Sequence, residues 1–210
     1  QYGENVNESL LGSLVTESLY MDIYYPTNDE FNERPLIFFM FGGSFIGGSK
    51  SSSDIVALCT NYAQKGYVAV AIDYRLSQNL LFFNPNEENA YKAVMKAIHD
   101  LKAAIRYFKM NDEIFDDYRI DVNRVYTGGY SAGAIASINA AYLNEYEEIP
   151  PFLYDDFDNF GGLEGLSCNA GYDSSFHGIV NLSGAVGNQN WIIGGDIPIV
   201  SMHGDQDDVV

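Results

Sequence analysis

Basic residues are scarce in this chain: eleven lysines and arginines stand against 29 aspartates and glutamates, for a formal charge of −18. A field of that sign repels phosphate backbones and anionic lipid surfaces, which argues against nucleic-acid partners and leaves neutral or cationic ones. It also describes a solvated acidic surface with high solubility. Cysteine is scarcer still. Cys59 and Cys168 are too few for a disulfide framework or a cysteine-ligated metal site. Long apolar runs are absent: the longest, Leu36 to Phe41 and Tyr67 to Ile72, have six residues each, far below the ~20 that a membrane span needs. No basic segment followed by an apolar stretch opens the sequence. The protein is therefore expected to be either cytoplasmic or, with Gln1 following a removed leader, secreted or periplasmic.

What is present is a globular composition, 47% hydrophobic and 14% aromatic over 210 residues, the size of a single domain. Short apolar runs alternate with helical patterns, the order expected of a mostly parallel sheet with helices on both faces. Expected strands are Leu19–Tyr25, Leu36–Phe41, Val68–Ile72, Val125–Gly128, Ile179–Ser183 and Ile197–His203. Helices are expected over Ser53–Lys65, from about Glu87 to Asn111, and over Ala132–Glu145. In the longest, Ala90, Val94, Ala97, Ile98, Leu101, Ile105 and Phe108 form one stripe in steps of three and four, so one face should pack on the sheet. The segment 144–175 differs, with Pro150-Pro151, Gly161-Gly162, clustered aromatics and eight carboxylates. It reads as an excursion, either a small lid or a surface loop.

Three motifs carry chemistry. Gly129-Tyr130-Ser131-Ala132-Gly133 lies directly after an expected strand and before an expected helix, the setting of a nucleophile elbow. The serine hydroxyl would project at a helix N-terminus, where a developing anion is favoured. Phe41-Gly42-Gly43-Ser44-Phe45 ends another strand, and its glycines let main-chain N–H groups turn toward a ligand. The N–H groups of Gly43, Ser44 and Ala132 are the expected oxyanion donors. A phosphate cradle is the competing reading, but no G-K-[ST] follows and the charge opposes it. His203-Gly204-Asp205-Gln206-Asp207-Asp208-Val209-Val210 follows a third strand, where a carboxylate can orient a catalytic imidazole.

Together these motifs resemble the α/β-hydrolase superfamily, and specifically its carboxylesterase and lipase branch, from about Leu19 to the last residue. Asp73-Tyr74-Arg75-Leu76-Ser77, the helix Asp100–Tyr107 and Asp121-Val122-Asn123-Arg124-Val125 are similar to further strings of those esterases. The resemblance implies an α/β-hydrolase fold, Ser131 as nucleophile and Asp207 as triad acid, with Asp205 and Asp208 as the nearest competitors. It implies no metal and no organic cofactor, and an ester substrate, small or polymeric, hydrolysed through an acyl-enzyme. The sequence departs from the family where Phe41 replaces the usual histidine and Ser44 the third glycine. A peptidase of the prolyl-oligopeptidase type and a non-catalytic module of the same fold are the alternatives; the Gly-rich loop after Leu36–Phe41 favours esters. His99, His177 and His203 each read as packing or hydrogen-bonding residues. The triad histidine, with a last helix and strand, is expected beyond Val210.

Carboxylates outnumber their cationic partners throughout, so mutual repulsion opposes the compact state. The melting temperature is expected to rise between very low salt and about 0.3 M, where screening acts within a few ångströms. A calorimetric series over ionic strength checks this; a flat or falling curve contradicts it.

Overall fold

The structure is a computed structural model, and it describes residues 1–9, 13–77 and 87–210. Its centre is a six-stranded sheet in the order β3-β5-β4-β6-β7-β8. The strands are β3 (Met21–Tyr24), β4 (Arg34–Met40), β5 (Val68–Ile72), β6 (Ile120–Tyr130), β7 (Ile179–Leu182) and β8 (Ile199–Met202). All pair in parallel except β3, which runs antiparallel to β5. This is the mostly parallel α/β arrangement anticipated.

Successive residues of a strand point to opposite faces, and β4 shows what each face meets. Phe39 contacts Tyr62 of helix α1 (Ser53–Ala63) with ring centres 5.2 Å apart, whereas Phe38 meets Phe108 of helix α2 (Glu87–Ile114) at 5.5 Å. Helix α3 (Ala132–Tyr142) packs beside α2. With both faces covered, the central strands can be continuous apolar runs, and every residue of Val68–Ile72 is buried. No described helix is long and apolar enough to cross a membrane.

The expected strand Leu19–Tyr25 is two strands in different sheets. A hairpin of β1 (Gly3–Glu8) and β2 (Leu14–Leu19) stands apart, and the chain turns at Tyr20, whose carbonyl accepts the Asp73 amide at 2.9 Å, before entering β3. β1 carries no apolar alternation because the face it buries is polar. Asn7 is buried, donating to Glu17 and to the Leu76 carbonyl and accepting from Lys96, so this asparagine is tied into the interior.

Helix α2 is buried on more than its apolar stripe. Lys102 and Arg106 both pair with Glu164, at 2.8 and 3.2 Å, and Lys109 pairs with Asp173. His99 contacts the Gly162 carbonyl through Nε2 at 2.7 Å, and Ile149 and Leu153 pack against Met95. The 144–175 segment thus runs along α2 as a second cover. Helix α3 ends at Tyr142, short of the expected Glu145, because Glu148 captures the amides of Asn144 and Glu145. Both cysteines are free thiols; burial pushes Cys59 up to about 12, and Cys168 is exposed. β8 is the outermost strand, with Val200 and Met202 largely exposed.

Arg75 and Asp100 form a fully buried ion pair. The guanidinium Nε lies 2.9 and 3.0 Å from the two carboxylate oxygens, and the Arg75 amide donates to the same carboxylate at 2.8 Å. Removing one partner strands a buried charge, which costs about 3–5 kcal/mol, whereas replacing both with apolar residues is far less damaging. Arg75→Ala is therefore expected to lower unfolding free energy by that amount in urea titrations, and Arg75→Met with Asp100→Leu to recover much of it.

Candidate active site

The carboxyl ends of β4, β6, β7 and β8 gather on one edge of the sheet, the usual place for a ligand in such folds. Each delivers one part of the site. Ser131 sits between β6 and α3 with φ 51° and ψ −117°, a strained conformation for a non-glycine residue. Its amide donates to the Leu182 carbonyl at 2.9 Å and its carbonyl accepts from the Ile135 amide at 2.9 Å, so both sides of the turn are held.

The two glycines of the motif exist because β4 runs against this turn. A Cβ on Gly133 would lie 2.1 Å from the Met40 carbonyl oxygen, and one on Gly129 would lie 2.5 Å from the Gly133 carbonyl carbon. Any side chain there would push the elbow off β4.

The loop after β4 comes up against the serine. A Cβ on Gly42 would stand 2.9 Å from the Tyr130 ring and 3.3 Å from Ser131 Cβ. Gly43 has φ 136°, and its carbonyl accepts the amides of Ile46 and Gly47 at 3.0 and 3.1 Å, closing a tight turn; Ser44 and Phe45 also have positive φ. Among the described residues, no acceptor engages the amides of Gly43, Ser44 or Ala132.

Tyr74 braces this loop. Its hydroxyl donates to the Phe41 carbonyl at 2.8 Å, its ring stacks on Phe41 with centres 4.3 Å apart, and the Ser77 amide donates to the Phe45 carbonyl at 2.7 Å. Sequence reading found the string Asp73–Ser77 without finding this role. The signal was a buried tyrosine beside a glycine loop, which only proximity in space reveals. The expected residues from Gln78 onward in that connection, up to Asn86, lie outside the described residues.

Asp207 lies at the same edge, after β8. Its Oδ1 accepts the Val209 and Val210 amides at 3.0 and 3.3 Å, and these hydrogen bonds, led by Val209, hold its carboxyl below the usual range with help from His203 and the Ser183 hydroxyl. Ser183, which sequence reading missed, follows β7 with φ 53°. Asp205 and Asp208 are exposed. The strands carrying Ser131 and Asp207 are two steps apart, about 10 Å at ~4.8 Å per step, which leaves room for an imidazole between the two side chains.

No described histidine fills that gap. His203 Nε2 faces Asp207 at 3.5 Å and the Val210 carbonyl at 3.1 Å. His177 Nδ1 accepts the Val125 amide at 3.3 Å. His99 is buried on α2.

A mostly parallel sheet covered by helices on both faces, with a strained serine elbow and a glycine loop folded against it, is an α/β-hydrolase. The chain belongs to the BD-FAE family, whose sequence model matches residues 21–185. It is 28% identical over 130 residues to gut esterase 1 of Caenorhabditis elegans, in an alignment that spans 62% of this chain and 22% of that protein. The apo form of Thermogutta terrifontis esterase 2 is 20% identical and superposes with a TM-score of 0.66 over 92% of this chain and 69% of that one. The same esterase phosphonylated by cyclosarin gives 19% identity and a TM-score of 0.66, over 99% of this chain and 72% of that one.

His99 carries a pH signature. Burial is the main force holding its pKa down, to about 4, against 6.5 for the free side chain. The folded protein keeps it neutral, so its stability contribution is complete above pH 6.5 and falls as the unfolded chain takes up a proton, by about 3 kcal/mol in all by pH 4. Chemical denaturation between pH 7 and 4.5 is expected to show this loss, and His99→Gln to flatten it.

Proposed function

We propose that the protein hydrolyses carboxylic esters through an acyl-enzyme on Ser131. The observation that carries the reading is the contact between the Gly42–Ser44 loop and the strained Ser131 turn. A Cβ on Gly42 would stand 3.3 Å from Ser131 Cβ, and among the described residues no acceptor engages the amides of Gly43, Ser44 and Ala132. In this mechanism the Ser131 Oγ attacks the ester carbonyl while a histidine accepts its proton. Negative charge gathers on the carbonyl oxygen, where the amides of Gly43, Ser44 and Ala132 receive it. The imidazolium then protonates the departing alcohol, and water repeats the sequence in reverse to release the acid. Asp207 orients the imidazole, its carboxylate kept ionised by the amides of Val209 and Val210. The base is assigned to a histidine other than His99, His177 and His203, each of which is held by another contact.

Two comparisons support the reading. The curated relative and the fold neighbours are esterases by name, and one neighbour is phosphonylated by cyclosarin, an electrophile of the kind that an activated serine takes up. Esters are preferred over peptides because the oxyanion donors come from a glycine-rich loop after β4.

In the full-length protein, Ser131→Ala is expected to lower p-nitrophenyl butyrate turnover at least about 10³-fold with folding intact. Asp207→Asn should cost roughly 10⁴-fold through misoriented imidazole, whereas Asp205→Asn and Asp208→Asn should stay within a few-fold. Steady-state kinetics on the four variants checks both assignments; sensitivity at Asp205 instead of Asp207 would shift the register of the acid.

A further inference from the structure

Residues 41–50 carry the chain from the end of β4 toward α1, and four of them are glycine. Glycine loses more conformational freedom on ordering than any other residue, so a loop of this composition keeps one shape only where its surroundings impose it. Ser44 and Phe45, with φ of 54° and 60°, add to that need, because left-handed backbone at non-glycine residues persists only where neighbouring contacts over-determine it. Tyr74 and Ser77 hold the front of the loop, at Phe41 and Phe45.

The back of the loop has its own anchor at Lys50. The Lys50 amide donates to Asp73 Oδ1 at 3.1 Å, and its Nζ lies 3.0 and 2.9 Å from the two carboxylate oxygens of Asp22 on β3. Ser51 Oγ donates to the same carboxylate at 3.4 Å. The hydrogen bond to Asp22 is the main force raising the Lys50 pKa above the usual lysine range, and it outweighs the opposing effect of burial. The loop is thus tied to the antiparallel edge strand.

Gly48 carries that anchorage to the amides. A Cβ there would lie 2.5 Å from the Gly42 carbonyl oxygen and 2.4 Å from the Phe41 ring, and one on Gly43 would lie 2.1 Å from the Gly47 carbonyl oxygen. Residues 47 and 48 therefore back directly onto residues 41–43. A trans peptide is planar, with its N–H opposed to its C=O. Packing against the Gly42 carbonyl thus fixes the direction of the Gly43 N–H on the other side of that peptide.

We propose that Asp22 and Lys50 are positioning residues for ester hydrolysis: their ion pair clamps the back of the loop, so that Gly48 holds the Gly42–Gly43 peptide with its N–H turned toward the substrate's carbonyl oxygen. The inference rests on the ester-hydrolase reading. Both side chains act through the loop backbone. The donors serve charge that develops in the transition state, and acylation and deacylation both pass through the oxyanion. Slack in the clamp therefore slows both steps together, lowering kcat and leaving KM nearly unchanged.

In the full-length protein acting on p-nitrophenyl butyrate, Lys50→Met and Asp22→Ala are each expected to lower kcat by roughly tenfold or more, with KM within about twofold. Lys50→Arg keeps a cation opposite the carboxylate and should stay within a few-fold of wild type. The double variant should be no worse than either single one, since the two side chains act as a unit. The pair is partly exposed, and such pairs add little to global stability, so urea midpoints should hardly move. In a folded Lys50→Met protein, an unchanged kcat, a loss carried by KM, or an equal loss in Lys50→Arg overturns the proposal, as does a loss that tracks a fall in the urea midpoint. If Lys50→Met does not fold, an unchanged kcat in Asp22→Asn overturns it equally. Wild-type protein inactive on the ester overturns the hydrolase reading, and this inference with it, whereas active wild type with kcat indifferent to the pair overturns this inference alone.

Discussion

The buried Arg75–Asp100 pair is the point on which several parts of the molecule converge. Taking two charges out of water is costly, and the pair is tolerable because its remaining donors are satisfied. One terminal nitrogen of Arg75 donates to the Val6 carbonyl at 2.7 Å and another to the Lys96 carbonyl at 3.2 Å. A single side chain thus joins the connection after β5, the long helix α2 and the β1–β2 hairpin. The residues on either side inherit that fixity. Tyr74 is held where it can stack on Phe41, and Ser77 where its amide reaches Phe45. The loop that presents Gly43 and Ser44 is therefore braced by an ion pair that touches nothing reactive.

The second constraint is the absence of side chains where β4 meets the elbow. Met40, Gly129 and Gly133 bring three backbone stretches into contact, closer than any Cβ would allow. That closeness sets the strain at Ser131 and leaves the Ala132 amide at the head of α3. Strain at Ser131 is sustained because hydrogen bonds on both of its sides leave the turn no easier conformation.

The two constraints were unequally legible. The elbow and the glycine loop after β4 could be read as motifs because glycine has no substitute where the backbone must approach so closely. Parallel strands buried on both faces announce themselves as apolar runs, and β4, β5 and β7 fell close to where those runs lie. The β1–β2 hairpin was invisible because its inward face carries Asn7 in place of an apolar residue. The second buried face of α2 was invisible for a related reason. Lys102, Arg106 and Lys109 lie off the apolar stripe, and only the arrival of Glu164 and Asp173 from far along the chain turns them into an interior.

By itself the sequence determined the class of fold, the serine at its elbow and the glycine loop beside it, because these depend on local backbone geometry that few residues can satisfy. Tertiary structure alone decided what braces the loop and which of three nearby carboxylates is fixed by amides. Those features arise between residues distant in sequence, where burial and hydrogen-bond satisfaction are set by the packing of whole elements and leave no periodic trace in any one of them.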